Sequence, residues 1–177
     1  NFGFQKFVGF KSGNVDYQSH RNRYGDVDWW DGLEMKNMPG YTTTLLTTLS
    51  EDYIKENKDK PFCLYIAHAA PHSPMQGPNE KAIRTEATLE GDKNSDRPNK
   101  EIYKDMVEEL DWSVGRILET LKKYKLDKNT FVVFFSDNGP VINNGGSTGG
   151  YRGAKGAPWE GGHRVPGICY MPGTVKG

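Results

Sequence analysis

The feature that most constrains this chain is a single apolar stripe in its second half. Between Asn99 and Tyr124, the residues Tyr103, Met106, Val107, Leu110, Val114, Ile117, Leu118 and Leu121 recur at three- and four-residue intervals. That spacing predicts a long amphipathic helix with one apolar face. Its other face, Lys104, Asp105, Glu108, Glu109, Arg116 and Lys123, suits water, and Asp111 and Trp112 at the stripe's margin take a structural role. A one-sided helix needs a second layer to cover it. Leu45, Leu46, Leu49, Tyr53 and Ile54 predict another helix over residues 42–57, with a run of Thr available as N-cap and Pro61 closing the charged stretch behind it. Short apolar runs lie between and after the helices: Phe62 to His68, Phe131 to Phe135 and Val165 to Met171. They read as strands, the first two buried on both faces. Strand and helix alternate, so the fold class is α/β, a sheet layered with helices. Residues 77–98 are polar and aperiodic, as a surface loop would be. No internal repeat, low-complexity tract or linker divides the chain.

At 177 residues the chain can bury a real core. Lysine plus arginine equal aspartate plus glutamate at 23 each, so no global field favours nucleic acid or an anionic membrane. No apolar stretch approaches the roughly 20 residues of a membrane helix, and the opening residues carry no signal-peptide core. Cys63 and Cys169 sit inside apparent strands, and buried free thiols are favoured over a disulfide. Residues 1–40 predict irregular structure with short strands. Their aromatics, Tyr17, Trp29 and Trp30, together with His20, could line a sugar or aryl pocket, or could equally pack a loop onto the domain.

The chemistry concentrates between Phe131 and Pro166. Asp137-Asn138-Gly139 follows an apparent strand directly, which places hard oxygen atoms at a strand's end beside a turn. Two such ligands are fewer than a calcium ion takes, so other oxygens must complete the shell. Arg152 and Lys155 bring positive charge back after the glycine-rich loop 143–150, which matches neither the P-loop nor the dinucleotide fingerprint. Glu160 could pair with an arginine to brace its turn, and His163 and Arg164 could form a strand entry. His72, held between Pro71 and Pro74 just past a strand, is placed to act as an acid or an anion ligand. No Ser-His-Asp or Cys-His arrangement follows from the spacing.

These residues resemble the type I sulfatases, the formylglycine-dependent arylsulfatase-like family within the alkaline-phosphatase-like superfamily. Phe134 to Pro140 looks like the family's metal-binding strand end, Tyr151 to Gly156 with Trp159 to Pro166 like its later signature, and Pro61 to Pro74 like its central strand and histidine. Gly13 to Tyr17 with His20 looks like members acting on sulfated sugars. The resemblance implies a central mixed, mostly parallel sheet flanked by helices, here as an incomplete domain. Residues 1–177 would be one segment of a catalytic domain, without its N-terminal portion and C-terminal subdomain. It implies that Asp137 and Asn138 ligate a divalent cation, usually Ca²⁺, with Mg²⁺ the alternative. Lys155 would hold a sulfate oxygen, His72 would contact sulfate or donate a proton to the leaving oxygen, and His20 would join them in binding substrate. Arg152, Glu160, His163 and Arg164 would shape the loop. The partner implied is a sulfated small molecule or glycan, the compartment exported, periplasmic or lysosomal. Exposed sheet edges would favour self-association.

The chain departs from the family at the nucleophile. Neither Cys63 nor Cys169, nor any serine, opens the Cys/Ser-x-Pro-x-Arg motif that yields formylglycine, and the paired N-terminal aspartates are absent. The segment alone is therefore expected to hydrolyse nothing. Two alternatives stay open: a phosphodiesterase or phosphonate hydrolase of the same superfamily, and a non-catalytic remnant that binds a glycan or a protein.

Overall fold

The computed structural model describes residues 3–85 and 95–176. In chain order the elements are β1 (Val8–Gly9), β2 (Trp30–Asp31), β3 (Glu34–Met35), α1 (Thr42–Asn57), α2 (Asn99–Lys123), β4 (Val132–Phe135), a one-turn α3 (Glu160–His163) and β5 (Gly167–Tyr170). Both long helices lie where the periodicity puts them. The α/β class holds, and the strand pairings among the described residues are antiparallel: β1–β2–β3 in one small sheet and β4–β5 in another.

How the helices meet differs from the apolar reading. On α2 the buried residues are Ile102, Met106, Ser113 and Leu121, while Val107 is 39 % exposed. On α1 the buried set is Thr42, Thr43, Leu46, Thr47, Ser50 and Ile54. Hydroxyls enter this interface where they find a backbone or side-chain partner: Thr47 Oγ1 lies 2.7 Å from the Thr43 carbonyl and 2.6 Å from Ser113 Oγ, and Ser50 donates to the Leu46 carbonyl, whereas the buried Thr43 hydroxyl has no partner among the described residues. Thr44 donates to Glu109, and Arg116 pairs with Glu51 at 2.8 Å along the rim. The expected Thr N-cap is not used. Tyr41 takes that position without a side-chain bond, and Thr42 instead sends both its N–H and its hydroxyl to the Tyr17 carbonyl, at 2.8 and 3.0 Å.

The core lies beside this helix pair. Tyr17, Tyr41, Ala70, Met75, Ile102 and Met106 form it, with Tyr17 stacked on Tyr41 at 5.5 Å. A loop from the first forty residues thus supplies the centre of the packing, as the packing alternative for those aromatics requires.

Two strand expectations are corrected. Residues 62–68 form no strand and pair with none among the described residues, and their side chains alternate between half-buried and exposed, with Tyr65 69 % exposed. β4 does form, in register with β5 from Val132 opposite Tyr170 to Phe135 opposite Gly167. Yet Phe131, Val133 and Phe135 stand exposed on one face, and Ile168, opposite Phe134, is exposed on the other, because no layer among the described residues covers them. The cysteines follow their segments. Both are free, as expected, but exposed rather than buried. No helix among the described residues is long and apolar enough to cross a membrane. Of the expected loop 77–98, residues 86–94 lie outside the described residues, and Pro98 caps α2.

Candidate active site

β4 delivers its chain to a tight turn at Ser136. The Ser136 hydroxyl donates to the Asn138 carbonyl at 2.9 Å, and the next amide, Gly139 N–H, reaches the Gly162 carbonyl at 2.9 Å. These bonds aim Asp137 and Asn138 into a depression of about 460 Å³, whose other walls are Gly156, Ala157, Pro158, Gly162 and His163. The Asp137 carboxylate is exposed, and among the described residues neither it nor the Asn138 amide has a hydrogen-bond or ion-pair partner within the protein. Unpartnered hard oxygens facing an open depression are a fitting donor set for Ca²⁺ or Mg²⁺, with further oxygens needed to fill the shell.

Lys155 is tied to the same turn through its backbone: its N–H donates to the Pro140 carbonyl at 3.1 Å. Its side chain is exposed and makes no ion pair among the described residues. The flanking charged residues are occupied with one another. The Arg152 guanidinium lies 3.8 Å from the Trp159 ring centre, and that of Arg164 lies 4.7 Å from Tyr151 and 3.5 Å from Glu160. Such stacked and paired groups stiffen a loop, and Glu160 pairs with an arginine there, as the brace reading requires. His163, placed with the loop-shaping residues on sequence, also reaches the depression. It was legible only once Gly162 was known to cross Gly139.

His72 belongs to the other half of the molecule. Its side chain is exposed on the turn between Pro71 and Pro74, with Nδ1 2.8 Å from the Ser73 carbonyl. A carbonyl only accepts, so Nδ1 carries the hydrogen and Nε2 is left to face a ligand, as a donor when the ring is charged. The Tyr17 phenol holds this turn from below, donating to the His72 carbonyl at 2.9 Å. No hydrogen bond or shared depression among the described residues joins His72 to Asp137.

His20 is placed differently from expectation. It is 2 % exposed, its ring 4.5 Å from that of Trp29, and its Nε2 has no partner. Burial lowers its pKa against the opposing pull of the Gly40 and Met38 backbone and of Asp16. With Tyr17 and Trp29 also fully buried, these rings have no faces left for a sugar. Sequence reasoning also passed over Asp16. Its carboxylate is wholly buried and accepts from the N–H groups of Gln18, Ser19, Ile83 and Arg84 and from Gln76 Nε2, at 2.7–3.2 Å. Burial alone would raise its pKa, but those backbone donors prevail and hold it below the usual carboxylate value. A Ser-His contact does exist, Ser113 Oγ to His68 Nε2 at 3.3 Å, but Ser113 has no exposed surface from which to attack anything.

An open aspartate–asparagine pair stands at a strand end with the Lys155 loop tied to it through the backbone, in an α/β fold of the alkaline-phosphatase-like class. The sulfatase family model matches residues 1–177, and the chain belongs to the sulfatase family. Steryl-sulfatase of Rattus norvegicus is 36 % identical over 75 % of the chain and 22 % of its own length. Arylsulfatase H of Canis lupus familiaris is 38 % identical over 86 % of the chain and 28 % of its own length. The solved structure of Ps i-CgsB in complex with k-i-k-neocarrahexaose superposes with a TM-score of 0.80 at 27 % identity, covering 98 % of the chain and 41 % of that structure. The chain thus spans about a quarter of the length of the curated relatives.

Proposed function

We propose that this chain forms one wall of an active site that hydrolyses sulfuric esters. Asp137 and Asn138 hold a divalent cation, Ca²⁺ in preference to Mg²⁺, completed by oxygens from water, substrate or other protein groups. When bound, the ion supplies positive charge that stabilises negative charge growing on the sulfuryl oxygens. Lys155 holds a sulfate oxygen from the other side of the turn, as a fixed positive charge suited to the more negative transition state. His72 contacts sulfate through Nε2 and, when protonated, gives its proton to the leaving oxygen. His20, expected to touch substrate, instead packs beneath Trp29, and we assign it to support of the Asp16 turn.

The single observation that carries this reading is an unpartnered Asp137–Asn138 pair in a depression walled by Gly156, Ala157 and Pro158, the residues that follow Lys155, whose own N–H ties their loop to the Pro140 carbonyl. The substrate class is a sulfated carbohydrate or an aryl sulfate. The carbohydrate choice is supported by the likeness to a structure solved with a carrageenan oligosaccharide, no longer by the buried aromatics. No Cys/Ser-x-Pro-x-Arg motif occurs, so the nucleophile is not on this chain, and alone it releases no sulfate. Self-association through the exposed β4–β5 face and the unpaired segment 62–68 accompanies this reading.

Titration with inorganic sulfate in the presence of Ca²⁺, followed by NMR at His72 and Lys155, tests it. Saturable shifts at both residues are expected, and phosphate should compete. Shifts at neither residue would contradict the assignment, and sulfate release by the chain alone would reveal another nucleophile.

A further inference from the structure

Three glycines meet where the Asp137 turn crosses the loop behind it. A Cβ added at Gly139 would lie 2.1 Å from the Gly161 carbonyl oxygen and 2.9 Å from Gly162 Cα. One at Gly161 would lie 2.3 Å from the Gly153 oxygen, and one at Gly162 would lie 2.2 Å from the Ala157 oxygen. None of the three has a positive φ, so torsional freedom is not what the positions require. They require the missing side chain. Gly149, Gly150 and Gly156 are the reverse case, with positive φ and open space around the Cβ position.

The crossing is stitched on both sides. Gly139 N–H donates to the Gly162 carbonyl, Lys155 N–H to the Pro140 carbonyl, Gly161 N–H to the Arg152 carbonyl and Gly162 N–H to the Trp159 carbonyl, all within 2.7–3.1 Å. One stitch falls directly after Asn138, and another falls on Lys155 itself. The cation-side groups and the sulfate-side lysine are therefore joined by backbone alone, across the shortest distance two chains can approach.

We propose that Gly139, Gly161 and Gly162 are positioning residues: a crossing free of side chains that locks the Asp137–Asn138 turn to the loop bearing Lys155, fixing the separation of cation and sulfate. The proposal rests on the function proposed above. The backbone carbonyls facing the added Cβ cannot rotate aside as a flexible side chain could, so a methyl group must force the two strands of the crossing apart by about an ångström, a displacement large enough to cost a well-aligned site heavily.

The test uses the 177-residue chain with Gly139→Ala, Gly161→Ala and, as control, Gly167→Ala, whose Cβ would meet nothing within 4 Å. Two quantities are read: hydrogen exchange of the Lys155 amide, and Ca²⁺ affinity by calorimetry. The crossing lies outside the α1–α2 core, so far-UV circular dichroism should stay unchanged. In both crossing variants Lys155 exchange should speed up and Ca²⁺ affinity should fall, each by about tenfold or more, while Gly167→Ala matches the parent chain. Unchanged Lys155 exchange in both crossing variants overturns the proposal. Unchanged Ca²⁺ affinity in a variant whose exchange has risen overturns it as well, because the link to the cation is then absent. A parent chain that binds no Ca²⁺, with exchange still raised in the variants, overturns the metal assignment instead and leaves the mechanical lock standing.

Discussion

Asp16 and Asp137 are both turn aspartates followed closely by glycine, amide or aromatic residues, and the protein treats them in opposite ways. Asp16 is buried and surrounded by protein donors, a charge neutralised in place by backbone N–H groups from both sides of the core. Asp137 is exposed on a turn whose own backbone bonds are made, leaving its carboxylate with nothing of the protein to hold. A carboxylate whose donors are already supplied organises a fold; one whose donors are withheld is available to a ligand. The same contrast separates the halves. The first is knit by side chains through Tyr17, Gln76 and Tyr41, and the second by backbone crossings at glycines.

That contrast can be broken at several points. Asp16→Ala should cost about 3–5 kcal/mol, because it strands several buried donors at once, whereas Asp137→Ala should change stability by no more than about 0.5 kcal/mol. Equal losses in urea denaturation would erase the distinction. Because the folded pKa of Asp16 lies below its unfolded value, its contribution is present above about pH 3.9 and is lost as pH falls through the folded pKa.

His68 gives the next largest effect. Burial pushes its pKa down to about 4. The unfolded chain therefore takes up this proton first, near pH 6.5, and folding stability is full above that pH. It should fall by about 1.4 kcal/mol per unit until the folded pKa is reached. His68→Asn should flatten that slope, and an unchanged slope would place the loss elsewhere. Tyr17→Phe keeps the stacking on Tyr41 but removes the bond to the His72 carbonyl, so a cost of about 1 kcal/mol is expected, together with a changed His72 NMR signal. Arg164→Ala, which loses only an exposed ring contact and an exposed ion pair, should cost less than about 1 kcal/mol.

Both helices were legible because their periodicity is local. The α1–α2 interface was not, because Thr47, Ser50 and Ser113 are polar by type and become core only when each hydroxyl finds an acceptor in the other helix or four residues back. Burial of the strands was misjudged for a related reason: Val, Phe and Ile declare that a face wants cover, but not whether this chain supplies it. Asp137 and Asn138 could be picked out from their place after a strand. His163 and the crossing glycines could not, since their roles depend on a contact between residues far apart in sequence. Asp16 was passed over and the burial of His20 was not legible, because composition cannot say which side of a loop faces inward.

The most direct measurement is calorimetric titration of Ca²⁺ into the parent chain, Asp137→Ala and Asp16→Asn. The account predicts saturable binding by the parent, none by Asp137→Ala with its helix content intact, and retained binding in whatever fraction of Asp16→Asn stays folded. Equal binding by the parent and Asp137→Ala, or loss only in Asp16→Asn, would contradict it.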